Sequence, residues 1–385
     1  MRSWTRLLIC LCAVTALACT GGAGPSAVRT DSAGVEIVQS PGEDRPLSWT
    51  LEPKVTIASD DTQGAGVFDP NEYAIRTDSV GRVYVMDRSG NRIIVFDVDG
   101  RYLRSLGRKG GGPGELGFPL AFAVAANGTV SVFDAAKHRL VRFAPDGSIL
   151  PEKEMGSGFF GGSMYASGDD YLYSYQGRGP SGTTSGVYHV TSTGGSVLVE
   201  SADPPMKPIE LKSCGMSFSG MPPLLAPSYR WDANRGQLAI TRDAEYDIGI
   251  YEQGKLKRRI RREIPPRSAT RELAMQELGD GMRVGTEGGV RVCQPDEVVE
   301  QRGYAPTIPA IGRIAIAPDG AIWLRRGGVK GEDLPIDVFT SDGAYEGSLP
   351  PETPFPAAFL SPNRIATVVK DEMDVGRIVI YQINR

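Results

Sequence analysis

Two segments of this chain superpose without a gap at an offset of 47 residues. The first runs from Gly81 to Asp87, then Arg92 to Phe96, and closes on Asp99-Gly100. The second runs from Gly128 to Asp134, then Arg139 to Phe143, and closes on Asp146-Gly147. Each copy holds two short alternating runs, the pattern of strands with one face buried. The Asp-Gly pairs supply tight turns, since glycine takes positive φ at no steric cost. Weaker copies of the plan cover 170–190, 236–254, 318–343 and 363–381. Repeats of roughly 40–50 residues with about four short strands each read as β-propeller blades. The expected fold is therefore all-β, a six-bladed β-propeller. A seventh blade would have to be hidden in 201–230 or 265–308.

The ends fit a closed ring. Gly34–Val38 and Trp49–Ile57 precede the first full unit, and the last unit reaches Arg385 after two or three strands. An N-terminal strand that completes the last blade would leave no open edge. The 48 glycines and 28 prolines then serve as punctuation between some two dozen strands.

Two stretches break the rhythm. Residues 201–230 are proline-rich and hold Cys214, and residues 265–308 hold Cys293. Within the second, Ser268 through Leu278 has good helix formers after a serine cap, and Gly279 stops it. One short helical insertion is expected there.

The first eighteen residues read as an export signal. Arg2 and Arg6 form a positive start, Leu7 through Val14 a short apolar core, and Ala18 precedes Cys19. The small residue before a cysteine resembles a bacterial lipoprotein signal, in which the cysteine becomes the acylated N-terminus. That resemblance implies lipidation at Cys19 and a cell-envelope address. By the same resemblance, Thr20 rather than Asp at the next position implies the outer membrane, if the cell has one, facing the periplasm or the cell surface. An ordinary cleaved signal with an incidental Cys19 is the alternative. Residues 19–33 are small and polar and read as a flexible tether, which leaves 34–385 for the propeller. Cys10 and Cys12 leave with the signal, so Cys214 and Cys293 remain as an even pair in an oxidising space. They are expected either to form a disulfide joining the two irregular connections or to stay as two separately buried thiols.

Leu106 through Leu116, Pro119, and the stretch Asp87, Asn91 to Phe96 resemble the NHL repeat. The opening Asp31-Ser32-Ala33-Gly34-Val35-Glu36-Ile37-Val38 is similar to the start of uncharacterised bacterial lipoproteins with a six-bladed propeller. The resemblance implies a fold and a compartment. Members range from binding scaffolds to hydrolases and lyases, so it implies no reaction.

Candidate chemistry is sparse. The net charge of −4 gives no footprint for nucleic acid. The two histidines, His138 and His189, cannot supply a three-imidazole zinc site. The glycine run at 107–117 lacks the Gly-Lys-Ser/Thr ending of a phosphate loop. Asp87 and Asp134 recur at one place in successive blades; they accept turn N–H groups or belong to a ring of carboxylates around a cation. The basic run Lys255 to Arg262 reads as an exposed outer strand that resists edge pairing, or as a contact for an anionic glycan or lipid headgroup. Tyr171, Tyr173 and Tyr175 share one face of a strand. They pack between blades or, if that face meets the channel mouth, stack on a sugar or peptide.

The reading is a monomeric, membrane-anchored binding or scaffolding module for a protein, peptide or glycan. It has no catalytic residues, no cofactor and an undetermined metal requirement. The alternative is a metal-dependent hydrolase of lactonase type with its site in the channel.

Overall fold

The structure, a computed structural model, describes residues 27–60, 64–154, 162–179, 182–191, 194–203, 206–234, 236–286, 289–372 and 375–385. Six blades, each with four antiparallel strands and the fourth widened further by an N-terminal hairpin, surround a central channel. Their strands span 75–106, 119–154, 164–202, 230–262, 311–349 and 358–384. The sixth blade has three strands of its own. Thr50–Ile57 supplies the fourth, pairing antiparallel with Gly376–Asn384 from Thr50 opposite Asn384 to Ile57 opposite Ile378. The ring is thus closed by pairing an early strand with the last one.

Blade packing explains the alternating runs, with one correction. The middle strands bury both faces, not one. In Val83–Asp87 every residue is buried. Val83 and Val85 join a core with Ile378 and Ile380 of the sixth blade. Tyr84 and Met86 point the other way, into a core with Phe122, Val130 and Val132 of the second blade. The same division recurs in the fifth blade, where Ile322 and Leu324 face the fourth blade and Trp323 faces the sixth. Period-2 alternation here separates two neighbours rather than core from water. The repeated turns follow the same logic. Gly100 has φ +78°, and a Cβ there would lie 2.5 Å from Val55 Cγ1, so only glycine fits the turn.

Asp87 and Asp134 lie away from the channel and hold turns. Asp87 accepts from the Gly90 N–H at 2.9 Å and pairs with Arg92 at 2.8 Å. Asp134 accepts from the N–H groups of Gly117, Phe118 and Ala136.

The N-terminal segment departs from the expected tether. Val28–Ser32 is a strand, turned at Ala33-Gly34 onto Val35–Ser40. Val35–Ser40 then pairs in parallel with Lys255–Arg262, so the fourth blade becomes six-stranded. The basic strand is therefore not a bare edge. Arg258 pairs with Glu36 at 2.7 Å, and Arg259 and Arg261 converge on Asp247. Arg262 is buried and meets the fully buried Asp337 at 3.0 Å. Asp337 also accepts from Arg326 Nε and Nη2, from the Tyr246 hydroxyl at 2.6 Å and from the Ser348 hydroxyl at 2.6 Å. This cluster bolts the fourth blade to the fifth.

The two irregular connections fold together as a cap. The first contributes a hairpin of Lys207–Leu211 and Met216–Met221. The second contributes helix α1 (Arg271–Leu278), a hairpin of Met282–Thr286 and Gly289–Cys293, and helix α2 (Pro295–Arg302). Thr270, not a serine, caps α1, because Ser268 pairs with Thr307 in a short strand. Gly279 ends α1, as its sequence suggests. The sequence reading missed α2. Its signals are Pro295 at the first turn, Asp296 and Glu297 beside the positive helix end, and Gly303 after it.

Removing the Asp337 carboxylate leaves the buried Arg262 and the part-buried Arg326 with only the half-exposed Asp44 as counter-charge. Asp337→Ala is expected to cost about 3–5 kcal/mol, read from urea unfolding midpoints. A change below about 1 kcal/mol would show that the cluster does not join the blades.

Candidate functional site

The site lies at the channel mouth where the innermost strands of the six blades begin. Each blade contributes there: Arg76 from the first, Phe122 from the second, Tyr165 from the third, Asp232 from the fourth, Arg313 from the fifth and Ala357 from the sixth. The cavity holds about 630 Å³. Arg76, Tyr165 and Asp232 also line the opposite opening, so they form the waist of the channel.

At the waist, the Arg76 guanidinium lies 4.3 Å from the Tyr165 ring centroid and 5.6 Å from that of Phe122. It donates to the Met164 carbonyl at 3.2 Å and the Ile75 carbonyl at 2.8 Å. Asp232 accepts from the Ile316 N–H at 2.7 Å, which ties the inner strands of blades four and five. The Tyr165 hydroxyl donates to the same carboxyl. Burial raises the Asp232 pKa above its ordinary 3.8, against these hydrogen bonds and the Arg76 charge. Burial likewise raises the Tyr165 hydroxyl.

Higher in the mouth sit two arginines. Arg313 pairs with Glu72 at 2.7 Å and covers the Phe355 ring at 4.5 Å. Arg230 donates to the Gly312 carbonyl at 2.8 Å and to Ser228. Its side chain is reached from the mouth, yet the surrounding protein pushes its pKa down, with Tyr73 and Glu277 opposing. Glu277 belongs to α1, so the cap overhangs this rim.

Beside the mouth runs a second cavity of about 570 Å³, between the cap and the third and fourth blades. Ser174, Tyr229 and Trp231 line both cavities and make them one continuous cleft. Its far wall is the cap segment Pro222, Pro223 and Arg302, and its near wall carries Tyr175 and Gln176. These belong to an unusually long hairpin, Asp170–Gly179 with Gly182–Thr191. The cap is held over the cleft by the bond between Cys214 and Cys293, whose Cα atoms lie 4.8 Å apart across 79 residues of chain. Glu297 of α2 reinforces it by accepting from the Lys212 and Ser213 N–H groups.

The three tyrosines divide. Tyr171 is buried against the second blade and its hydroxyl meets Ser131 at 2.8 Å. Tyr173 is buried in the same core and stacks on Tyr188 at 5.3 Å. Tyr175 alone of the three lines the cleft. Cys19 lies outside the described residues. His189 meets Asp170 at 3.2 Å, away from the mouth. The mouth residues escaped the sequence reading because each comes from a different blade. The arginine and tyrosine starts of the inner strands were the available signal.

Asp232 makes stability depend on pH. Its folded pKa exceeds its unfolded one, so the folded state holds more protons as pH rises above 3.8. Wild type therefore loses stability as pH climbs from there through the folded pKa. Asp232→Asn keeps an acceptor for the Ile316 N–H and should gain stability relative to wild type over that window. Parallel urea curves at every pH would contradict this. Loss of the disulfide is expected to cost about 2–5 kcal/mol in cap stability; proteolysis of Cys214→Ala should cut within 206–221 or 265–308 while the blades persist.

Residues 73–202, a third of the chain, match the model of a family described as a 6-bladed beta-propeller. No curated protein matches the chain. Among solved structures, a candidate exported protein from Bacteroides fragilis is similar at 12% identity and TM-score 0.50, covering 91% of this chain and 100% of its own. A member of the DUF4221 family from Bacteroides vulgatus is similar at 8% identity and TM-score 0.52, covering 88% and 99%. A gluconolactonase from Xanthomonas campestris, at 13% identity over 87% and 98% of the two chains, reaches only 0.38 and bears on nothing further. At these identities the likeness speaks to architecture alone, and with the ring itself it makes the chain a six-bladed β-propeller.

Proposed function

We propose that this chain is an exported, lipid-anchored and non-enzymatic binding propeller of the cell envelope, whose ligand enters the capped channel mouth. One observation carries the reading. Both irregular connections, the disulfide that joins them and the longest hairpin among the described residues all gather on the side of the ring where the cleft continues into the channel. Structured insertions of this length are uncommon unless they serve a site. A rigid ring with a covered opening positions side chains from six blades without any of them moving far.

The anchor rests on the residues around Cys19, and the disulfide fits an oxidising compartment. Two or more acyl chains hold a protein stably at a bilayer. Cys19→Ser should abolish acyl labelling and move the protein from the membrane to the soluble fraction. Unchanged membrane retention would contradict the anchor.

A metal-dependent hydrolase in the channel finds less support. Among the described residues, no three His, Cys, Asp or Glu side chains gather as a metal site would need. At the waist Asp232 stands with an arginine and a tyrosine, which do not fit a resident divalent ion.

Thermal shift over a panel of saccharides, peptides and organic acids tests the mouth. A ligand that stabilises wild type should fail to stabilise Trp231→Ala, since Trp231 joins both cavities. Equal stabilisation of the two proteins would place binding elsewhere.

A further inference from the structure

The cleft is furnished with guanidinium groups that backbone carbonyls, rather than close ion pairs, hold in place. Arg76 donates to the Met164, Tyr73 and Ile75 carbonyls, Arg88 to the Leu120 carbonyl at 2.7 Å, and Arg230 to the Gly312 carbonyl. Arg302, on the cap side, donates to the Pro222 carbonyl at 2.6 Å. Among the described residues, none of these four is within ion-pair distance of a carboxylate. Elsewhere the same chain pairs its arginines readily, as Arg258, Arg259, Arg261, Arg262 and Arg326 show. Carbonyls fix the direction of a guanidinium without cancelling its charge. Planar donors set in a concave, partly desolvated wall are what binds an oxyanion bidentately.

The charge comes with flat apolar surface. Tyr73 stands 64% exposed at the mouth. Trp231 and Tyr229 lie where the two cavities meet, and Tyr175 continues the row under the cap. Ser174, Gln176 and Ser185 supply hydroxyl and amide groups between them. A pyranose ring has an apolar face, a rim of hydroxyls and, in acidic sugars, one carboxylate. Cavities of a few hundred Å³ suit ligands of this size rather than folded partners.

We propose that the cleft binds a carboxylate-bearing saccharide. The carboxylate lies on Arg230 and the rings lie along Tyr73, Trp231 and Tyr175. This rests on the mouth being the binding site. It goes further by fixing the class of ligand. Charge attraction here weakens with salt, because the mouth is open to solvent.

Calorimetric titration of the full chain in detergent tests it, with trigalacturonate, its neutral trigalactose counterpart and triglutamate as probes. Trigalacturonate should bind at least about tenfold more tightly than the neutral sugar, one charge-assisted contact being worth about that factor. Arg230→Gln, on an accessible side chain, should erase that preference without moving the unfolding midpoint. Raised salt should narrow it. Equal binding of acidic and neutral sugars, triglutamate binding in place of the sugar, or no sugar binding overturns the proposal. If the neutral sugar or triglutamate binds and Trp231→Ala abolishes it, the ligand class falls while the mouth stands. If Trp231→Ala leaves such binding intact, the mouth falls as well.

Discussion

Everything in this molecule depends on the pairing of Thr50–Ile57 with Gly376–Asn384. Each blade buries both faces of its middle strands against its two neighbours, so no blade has a complete core alone. A ring of such units is stable only when the last meets the first. The chain achieves that by pairing an early strand with its last one in one sheet, with Ile57 contributing to the core between the sixth and first blades. Ring closure also removes the open edges at which such strands would otherwise aggregate.

A closed ring sets its inner strands at fixed positions and leaves the connections free to vary. This chain spends that freedom on one opening. The cap carries its own small core of Ile209, Leu211, Val298 and the two cysteines. Leu224 pairs with Tyr304 and ties the two connections again. The hairpin of the third blade rises beside them. Arg76, Tyr165 and Asp232 stand where the mouth meets the cavity of the opposite opening. The cleft's polar groups are held by backbone carbonyls and N–H groups, which keeps them oriented before any ligand arrives.

Much of the ring was legible in the sequence. The 47-residue offset, the Asp-Gly turns and the weak copies place all six blades, because blade packing imposes one pattern on every unit. The N-terminal closure followed from the incomplete last unit. What escaped had a local cause in each case. Val28–Ser32 is short, polar and wholly exposed, so it reads as tether, and its strand exists only through pairing with Val35–Ser40. Helix α2 is two turns long with no side-chain cap, and its stability comes from Val298 and Val299 packing into the cap. Tyr171 and Tyr173 share a face with Tyr175, as period 2 demands, but the twist of the blade carries only the last of them out to the cleft. Asp232 and Arg76 are distant in sequence and ordinary in context. Their meeting at the waist is a property of the ring, which no single blade contains.

The central claim is that the capped mouth is where this propeller meets its ligand. Hydrogen–deuterium exchange with and without an acidic polysaccharide fraction tests it most directly. The account predicts added protection at 73–76, 174–186, 229–232 and 312–315, with the outer strands unchanged. Protection confined to the outer strands, such as 255–262, with the mouth unaltered, would contradict it.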